Sequence, residues 1–362
     1  MRTAAVIGTG LIGTSIALAL TAKGVTVHLV DREPMAALTA AAVGAGIYEA
    51  PAETVDLAIL AVPPADVAHT LAEAQKRGLA HAYTDVASVK SRPMREAAAL
   101  GCDLTSYLGS HPMAGRERSG PLAARADLFE GRSWALTPLP TTSELTRRTV
   151  AAMIGLCGAR PLVMDHDEHD NAVALISHTP HLVAGLMAAR LETAADSEIV
   201  MAGQGVRDVT RIAAGDPRLW LSILASNAEP VAEHLTALAH DLDTAIAALR
   251  GLAAGDAAES DAAADSLLGL LHSARTGHDR LPNKHGAPKA GYVTVSVLVS
   301  DRPGELARLF ADIEASGVNI EDVSIDHAPG KASGLVELLI TPESALALSH
   351  SLRARNMTLM GA

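Results

Sequence analysis

The run Gly8-Thr9-Gly10-Leu11-Ile12-Gly13 constrains this chain more than any other feature, because of what flanks it. Thr3-Ala4-Ala5-Val6-Ile7 before it reads as a buried strand, and Thr14 to Lys23 after it as an Ala/Leu helix stopped by Gly24. A strand that turns through G-x-G-x-x-G into a helix opens a βαβ dinucleotide-binding unit. The first glycine makes the tight turn, the second lets backbone approach a pyrophosphate, and the third lets helix pack on strand. The helix N-terminus then faces the anion. A second strand, Val25 to Val30, ends in Asp31, which can accept bonds from an adenosine ribose and would repel a 2′-phosphate, so NAD is favoured over NADP. Adjacent Arg32 pulls the other way, since a guanidinium can hold that phosphate. The candidate cofactor-binding residues are Gly8, Gly10, Leu11, Ile12, Gly13, Asp31, Arg32, Val62 and Pro63.

Arg2 and the apolar run after it imitate a signal peptide, but removing that run would delete the glycine motif, so it is read as part of the fold. No stretch reads as a membrane span. Lys+Arg 29 against Asp+Glu 41 gives a net charge of −12, which disfavours binding to nucleic acid or anionic membrane and leaves a small-molecule ligand. Cys102 and Cys157 are too few for a disulfide framework or a structural zinc site, and a reducing cytoplasm fits them.

The alternation continues. Val55 to Val62 is a buried strand running into Pro63-Pro64, a helix follows near Ala65 to Arg77, and Ala82 to Val86 is the next strand. Parallel strands with helical crossovers are implied. Ligands of such sheets bind beyond the carboxyl ends of the strands. Ser88 stands there, and so does His111, after Ser106-Tyr107-Leu108 and before the turn Pro112-Met113-Ala114-Gly115. An imidazole at that rim can take a proton near neutral pH, which makes His111 the candidate catalytic group. The last strands expected are Ser133 to Thr137 and Pro161 to Met164, flanking a helix near Ser143 to Leu156.

From His169 to about Leu252 the pattern is helical, which predicts an all-α second domain and a homodimer built on its apolar helices. Asp165-His166-Asp167-Glu168-His169-Asp170 is dense in possible metal ligands but precedes a helix, where acids complement the macrodipole; no metal is expected. Of His178 and His181, at i and i+3, one can face a ligand while the other packs, and spacing leaves open which. Arg211 is either a carboxylate grip or a surface arginine paired with Asp208. Gly251 to Gly291 reads as a linker, apart from a short helix around Leu267 to Arg275. Beyond it a βαββα order predicts a ferredoxin-like module. The predicted domains are therefore 1–165, dinucleotide-binding; 166–280, helical; and 291–362, the small α+β module, with 281–290 as linker.

Five ordered segments resemble the prephenate/arogenate dehydrogenase family: Gly8 to Gly13, Thr84 to Lys90, His111 to Gly115, Ser177 to His181, and Arg207 to Arg211. The C-terminal module resembles an ACT domain, with Asp301-Arg302-Pro303-Gly304-Glu305-Leu306 at its first strand-to-helix turn. The resemblance implies a Rossmann-type NAD domain, an all-α dimerisation domain and an ACT regulatory domain. It implies oxidative decarboxylation of prephenate to 4-hydroxyphenylpyruvate in tyrosine biosynthesis, or of arogenate to tyrosine. His111 and Ser88 are then catalytic, while His181, Arg211 and Glu117 belong to the substrate pocket. Tyrosine or phenylalanine is the implied effector. A non-catalytic sensor of NAD and amino acids is the alternative from another class.

Overall fold

The computed structural model describes residues 1–115, 119–254, 257–281, 291–327 and 332–360. Its chain divides into two compact units, Met1–Leu238 and Ala239–Ala362. In the first, the opening apolar run is β1 (Thr3–Ile7), and the Gly-rich turn leads straight into α1 (Leu11–Thr21). β2 (Thr26–Val30), α2 (Pro34–Ala42), β3 (Val55–Leu60), α3 (Val67–Lys76), β4 (Ala80–Asp85), α4 (Ser91–Ala99) and β5 (Tyr107–Pro112) continue the alternation. β6 (Ser133–Thr137), α5 (Glu144–Leu156) and β7 (Arg160–Val163) complete a seven-stranded sheet of order β2-β1-β3-β4-β5-β6-β7. Its central strands are apolar on both faces because helices cover both: Ala4, Ala5 and Val6 of β1 and Leu57 to Leu60 of β3 are fully buried.

One strand departs from the expected parallel order. β5 and β6 pair antiparallel, Gly109 opposite Thr137 and Pro112 opposite Trp134. A parallel return needs a helical crossover, and between these two strands the described residues form only a single 3-10 turn, Pro121–Ala123. Elsewhere the register is the expected one. Leu60 pairs with Asp85, and Asp85 with Gly109, so the ends of β3, β4 and β5 share one rim.

The glycine motif is closed by backbone contacts that admit no side chain. A Cβ on Gly13 would stand 1.9 Å from the Gly8 carbonyl oxygen, and one on Gly8 would stand 2.2 Å from the Ala61 carbonyl oxygen. Gly13→Ala is therefore expected to cost about 3 kcal/mol or more by forcing helix from strand. Chemical denaturation measures this; an unchanged midpoint would contradict the packing described.

After β7 the first unit is helical: α6 (His166–Val173), a π-turn (Ala174–His178), α7 (Thr179–Leu191), α8 (Asp196–Ile199), α9 (Gln204–Thr210), a 3-10 turn (Arg211–Ala214), α10 (Pro217–Ser226) and the start of α11 (Ala228–Ala254). Asp165 and Glu168 form a capping box on α6, and Asp167 accepts from Ser91 Oγ at 2.6 Å, so the acidic cluster starts a helix. Against expectation, His166–Leu191 is by length and composition apolar enough to cross a membrane. Its His169, Asp170 and His178 are buried and bonded to groups outside the run, which ties it to β5, α4 and the end of α10. Leu175, Ile176, Leu186, Met187, Val200 and Met201 leave an apolar surface exposed.

In the second unit α12 (Ala257–Asp279) follows α11. It replaces the short helix expected within a linker: Ala-rich sequence with little amphipathic pattern looks like linker, yet Ala is the best helix former. Of the linker proper, 282–290 lie outside the described residues. β8 (Val293–Ser300), α13 (Glu305–Glu314), β9 (Asp322–His327), β10 (Ser333–Ile340), α14 (Pro342–Ala354) and β11 (Thr358–Met360) form a small antiparallel sheet of order β11-β8-β10-β9 with its own core around Val297, Val336, Leu309 and Leu352. β11 was not expected; three residues after the left-handed Asn356 carry little strand pattern.

Candidate active site

A cleft of about 590 Å³ opens at the strand rim, and Gly8, Gly10, Asp31, Arg32, Val62 and Pro63 all line it. Nothing stands within 4 Å of where a Cβ on Gly10 would lie, so backbone there is open to a ligand. No side chain caps α1, whose first-turn N–H groups are left for an anion. Leu11, Ile12 and Gly13 make that first turn without lining the cleft, and Ile12 packs against the core. Asp31 Oδ2 accepts from Thr9 N at 2.6 Å and Thr9 Oγ1 at 2.8 Å, and its Oδ1 accepts from Glu33 N at 2.9 Å. Burial raises its pKa, but these bonds and Arg32 outweigh that and hold it below the usual carboxylate range. Arg32 leans on Asp66 at 3.7 Å, so the cation beside the ribose position has an acidic neighbour. These residues fit a dinucleotide with a free 2′-hydroxyl better than one with a 2′-phosphate.

His111 stands one residue before the end of β5, at the same rim. Its Nδ1 is 3.0 Å from His169 Nε2, the two rings meeting edge to face at 74°, and His169 Nδ1 is 2.8 Å from Asp170 Oδ1. The start of α4 fixes the far end: Lys90 N donates to Asp170 Oδ1 at 2.7 Å and Ser91 N to Oδ2 at 2.9 Å. Proton positions follow from this chain of bonds. A carboxylate only accepts, so His169 carries its proton on Nδ1 and presents Nε2 as an acceptor. With one proton on each ring, His111 then donates from Nδ1 and keeps a free lone pair on Nε2. Burial first, then His169, Lys90 and His178, push the His111 pKa well below its ordinary value. Burial pushes Asp170 up, but the bonds from His169, Ser91 and Lys90 hold it ionised.

Behind the histidine lies a buried ion pair. Lys90 Nζ, almost sealed, bonds the Asp85 carboxylate and the Ser110 carbonyl oxygen at 2.6 Å, and Tyr107 Oη donates to Asp85 Oδ2 at 2.6 Å. Lys90 thus grips the residue before His111 with its side chain and Asp170 with its backbone. Ser110 Oγ donates to the Asp85 carbonyl at 2.7 Å and takes the Trp134 Nε1 proton at 3.0 Å, locking β4, β5 and β6 together.

Of the other candidates, Ser88 lies three residues past β4, half-buried at the rim. His181 is stacked on Trp220 with ring centroids 3.4 Å apart, and a Cβ on Gly215 would strike that indole at 2.6 Å. Burial lowers the His181 pKa. Arg211 is exposed on the 3-10 turn that packs against α7, the helix carrying His181, while Asp208 takes a bond from Gln204 at 2.8 Å. Glu117 lies outside the described residues. Sequence reasoning missed His169, Asp170, Lys90, Asn227 and Trp220 as site residues. The signal for the first two was the spacing of His169 and Val173, both buried, which puts them on the inner face of α6.

Comparison with known proteins bears on what this arrangement does. Residues 16–163 match the nucleotide-binding domain of prephenate dehydrogenase, and residues 165–268 match its dimerization domain. The chain is 44% identical over 359 residues to a probable prephenate dehydrogenase, NovF, of Streptomyces niveus, covering 98% of each. It is 26% identical to the prephenate dehydrogenase of Bacillus subtilis, covering 91% of this chain and 90% of that one. Among solved structures, the arogenate dehydrogenase of Synechocystis matches with a TM-score of 0.64 at 25% identity, over 77% of this chain and 99% of that one. A cleft for a dinucleotide and a neutral, anchored histidine on the same sheet, in a chain matched over residues 16–163 and 165–268 by both domains and over 98% of its length by NovF, lead to one assignment: the chain belongs to the prephenate dehydrogenase family.

Proposed function

We propose that the chain is an NAD-dependent dehydrogenase that converts prephenate to 4-hydroxyphenylpyruvate with loss of CO2, a step of tyrosine biosynthesis. The observation that carries this is the free Nε2 lone pair of His111, set by the chain through His169 to Asp170 near the end of β5, in the sheet whose first turn opens the cofactor cleft. The dinucleotide, when bound, supplies the hydride acceptor. His111 Nε2 accepts the hydrogen bond of the ring hydroxyl and takes the proton as hydride leaves the carbon that bears it. It returns the proton to the same oxygen when the bond to the ring carboxylate breaks and its electron pair makes the ring aromatic. No net proton is released, so His169 and the Asp170 carboxylate steady a transient imidazolium without carrying the proton away. General base work of this kind is worth about 10²- to 10⁴-fold.

The remaining roles extend the same reading. Ser88 orients the hydroxyl, Arg211 holds a substrate carboxylate, and His181 on its Trp220 platform lines the pocket. The domains run 1–165, 166–280 and 291–362, in the reducing cytoplasm that two free thiols suit. Two copies pair through the exposed apolar faces of the helical region. The strand order β11-β8-β10-β9 is that of a split βαβ module and supports an ACT-like domain that takes tyrosine or phenylalanine.

Arogenate is the second reading, favoured by the Synechocystis relative. Steady-state NADH formation from prephenate and from arogenate, each with and without tyrosine, tests all of this. Prephenate is expected to be turned over faster, with tyrosine lowering the rate and Arg211→Ala raising KM. Turnover of arogenate alone would reassign the substrate. Indifference to both tyrosine and phenylalanine would remove the effector, and an unchanged KM would remove Arg211.

A further inference from the structure

His178 ends the π-turn and is almost enclosed, and Asn227, the residue that closes α10, reaches it from another element. Asn227 Nδ2 is 2.8 Å from the Asp170 carbonyl oxygen and 3.1 Å from His178 Nδ1. A carbonyl only accepts, so the Asn227 atom that faces Asp170 is the amide NH2, and its second N–H is directed at His178. Nδ1 of His178 is therefore an acceptor, and the neutral ring carries its proton on Nε2. Burial first, with His169 and His181, pushes the His178 pKa down and Asp170 pushes it up; the balance is about 4, which keeps the ring neutral at working pH. Among the described residues the only hydrogen bond of the ring is the one at Nδ1, so the N–H at Nε2 is left for a ligand. The ring adds to the field that depresses His111, and it meets Trp220 edge-on at 6.2 Å, the indole that carries His181. It thus stands between the base and the platform of the pocket.

We propose that Asn227 is a positioning residue that locks His178 into the Nε2–H tautomer, making it a neutral hydrogen-bond donor to an anionic oxygen of the substrate beside His111. The inference rests on the dehydrogenase reading of the His111 site. The two imidazoles then have opposite polarity: His111 offers a lone pair where a proton leaves, and His178 offers an N–H where negative charge sits. Neither needs to ionise to bind, so neither repels the other before reaction.

The test uses the full-length enzyme with ¹⁵N-labelled histidine, His178 being assigned by its loss in His178→Gln. The wild-type spectrum is expected to show a bare Nδ1 and a protonated Nε2, unchanged between about pH 5.5 and 8. Asn227→Asp sets carboxylate oxygens against Nδ1 and pulls a proton onto it. In that variant kcat/KM for prephenate is expected to fall about tenfold as pH rises through the new His178 titration, with the Kd for NAD unchanged. A wild-type spectrum with the proton on Nδ1 overturns the proposal, and it can be read even if the variant does not fold. So does an Asn227→Asp profile that superimposes on the wild type. Wild-type enzyme inert toward prephenate would overturn the function reading instead, with the tautomer still measurable.

Discussion

Replacing His111 with Asn is expected to lower kcat about 10²- to 10⁴-fold while leaving the Kd for NAD where it is. The amide can still meet the substrate hydroxyl, but it cannot take its proton. Gly8 and Gly10, in the turn after β1, and Asp31, just past β2, line the cofactor cleft, and His111 is not among the cleft's lining residues. The loss is therefore expected in kcat and not in cofactor binding, and equilibrium titration of NAD separates the two. A variant with wild-type kcat would remove His111 from the chemistry; one that lost NAD affinity in parallel would make it a structural residue.

The second large effect is on stability. Lys90→Met is expected to destabilise the first unit by about 3–5 kcal/mol, because it strips the partner from a buried carboxylate. The Lys90 side chain is 1% exposed and that of Asp85 0%, so the charge left behind has no water to turn to. Tyr107 Oη and Ala87 N, at 2.6 and 2.8 Å, still bond Asp85 but do not neutralise it. Burial drives the Lys90 pKa down and Asp85 opposes that shift; burial and then Asp85 push Tyr107 well up, so the phenol stays a donor. Asp85→Asn combined with Lys90→Met removes both charges and is expected to recover much of the loss. Urea denaturation of the three proteins measures this, and a single variant as stable as the parent would contradict a charged pair.

The cofactor half of the site was legible in the sequence because local backbone geometry writes it. Gly13 is required by a 1.9 Å approach to the Gly8 carbonyl within the turn, Gly8 by its φ of 98°, and Asp31 by its place just past β2. His111 was legible for a similar reason, as a histidine at a strand end on the ligand rim. The partners that fix its ring were not. His169 and Asp170 lie 58 and 59 positions away along the chain, and what joins them to His111 is the packing of α6 against β5 and α4. Near the start of a helix, their acids and imidazoles carry the same signature as a capping sequence, and Asp165 does cap α6. Lys90 was read with its motif, but its burial depends on β4, β5 and β6 closing over it. The antiparallel β6 was hidden because a strand's direction is set by its connection, not by its own residues.

The most direct test of the account is the pH dependence of kcat/KM for prephenate at saturating NAD. A base works in its unprotonated form, so a pKa held well below the ordinary histidine value widens the active range toward acid. The profile is expected to stay level from about pH 6 to 8 and to fall only at lower pH, with that acid limb abolished in the residual activity of His111→Asn. A rate still climbing above pH 7, or an acid limb that survives in His111→Asn, would contradict a neutral His111 held ready by His169 and Asp170.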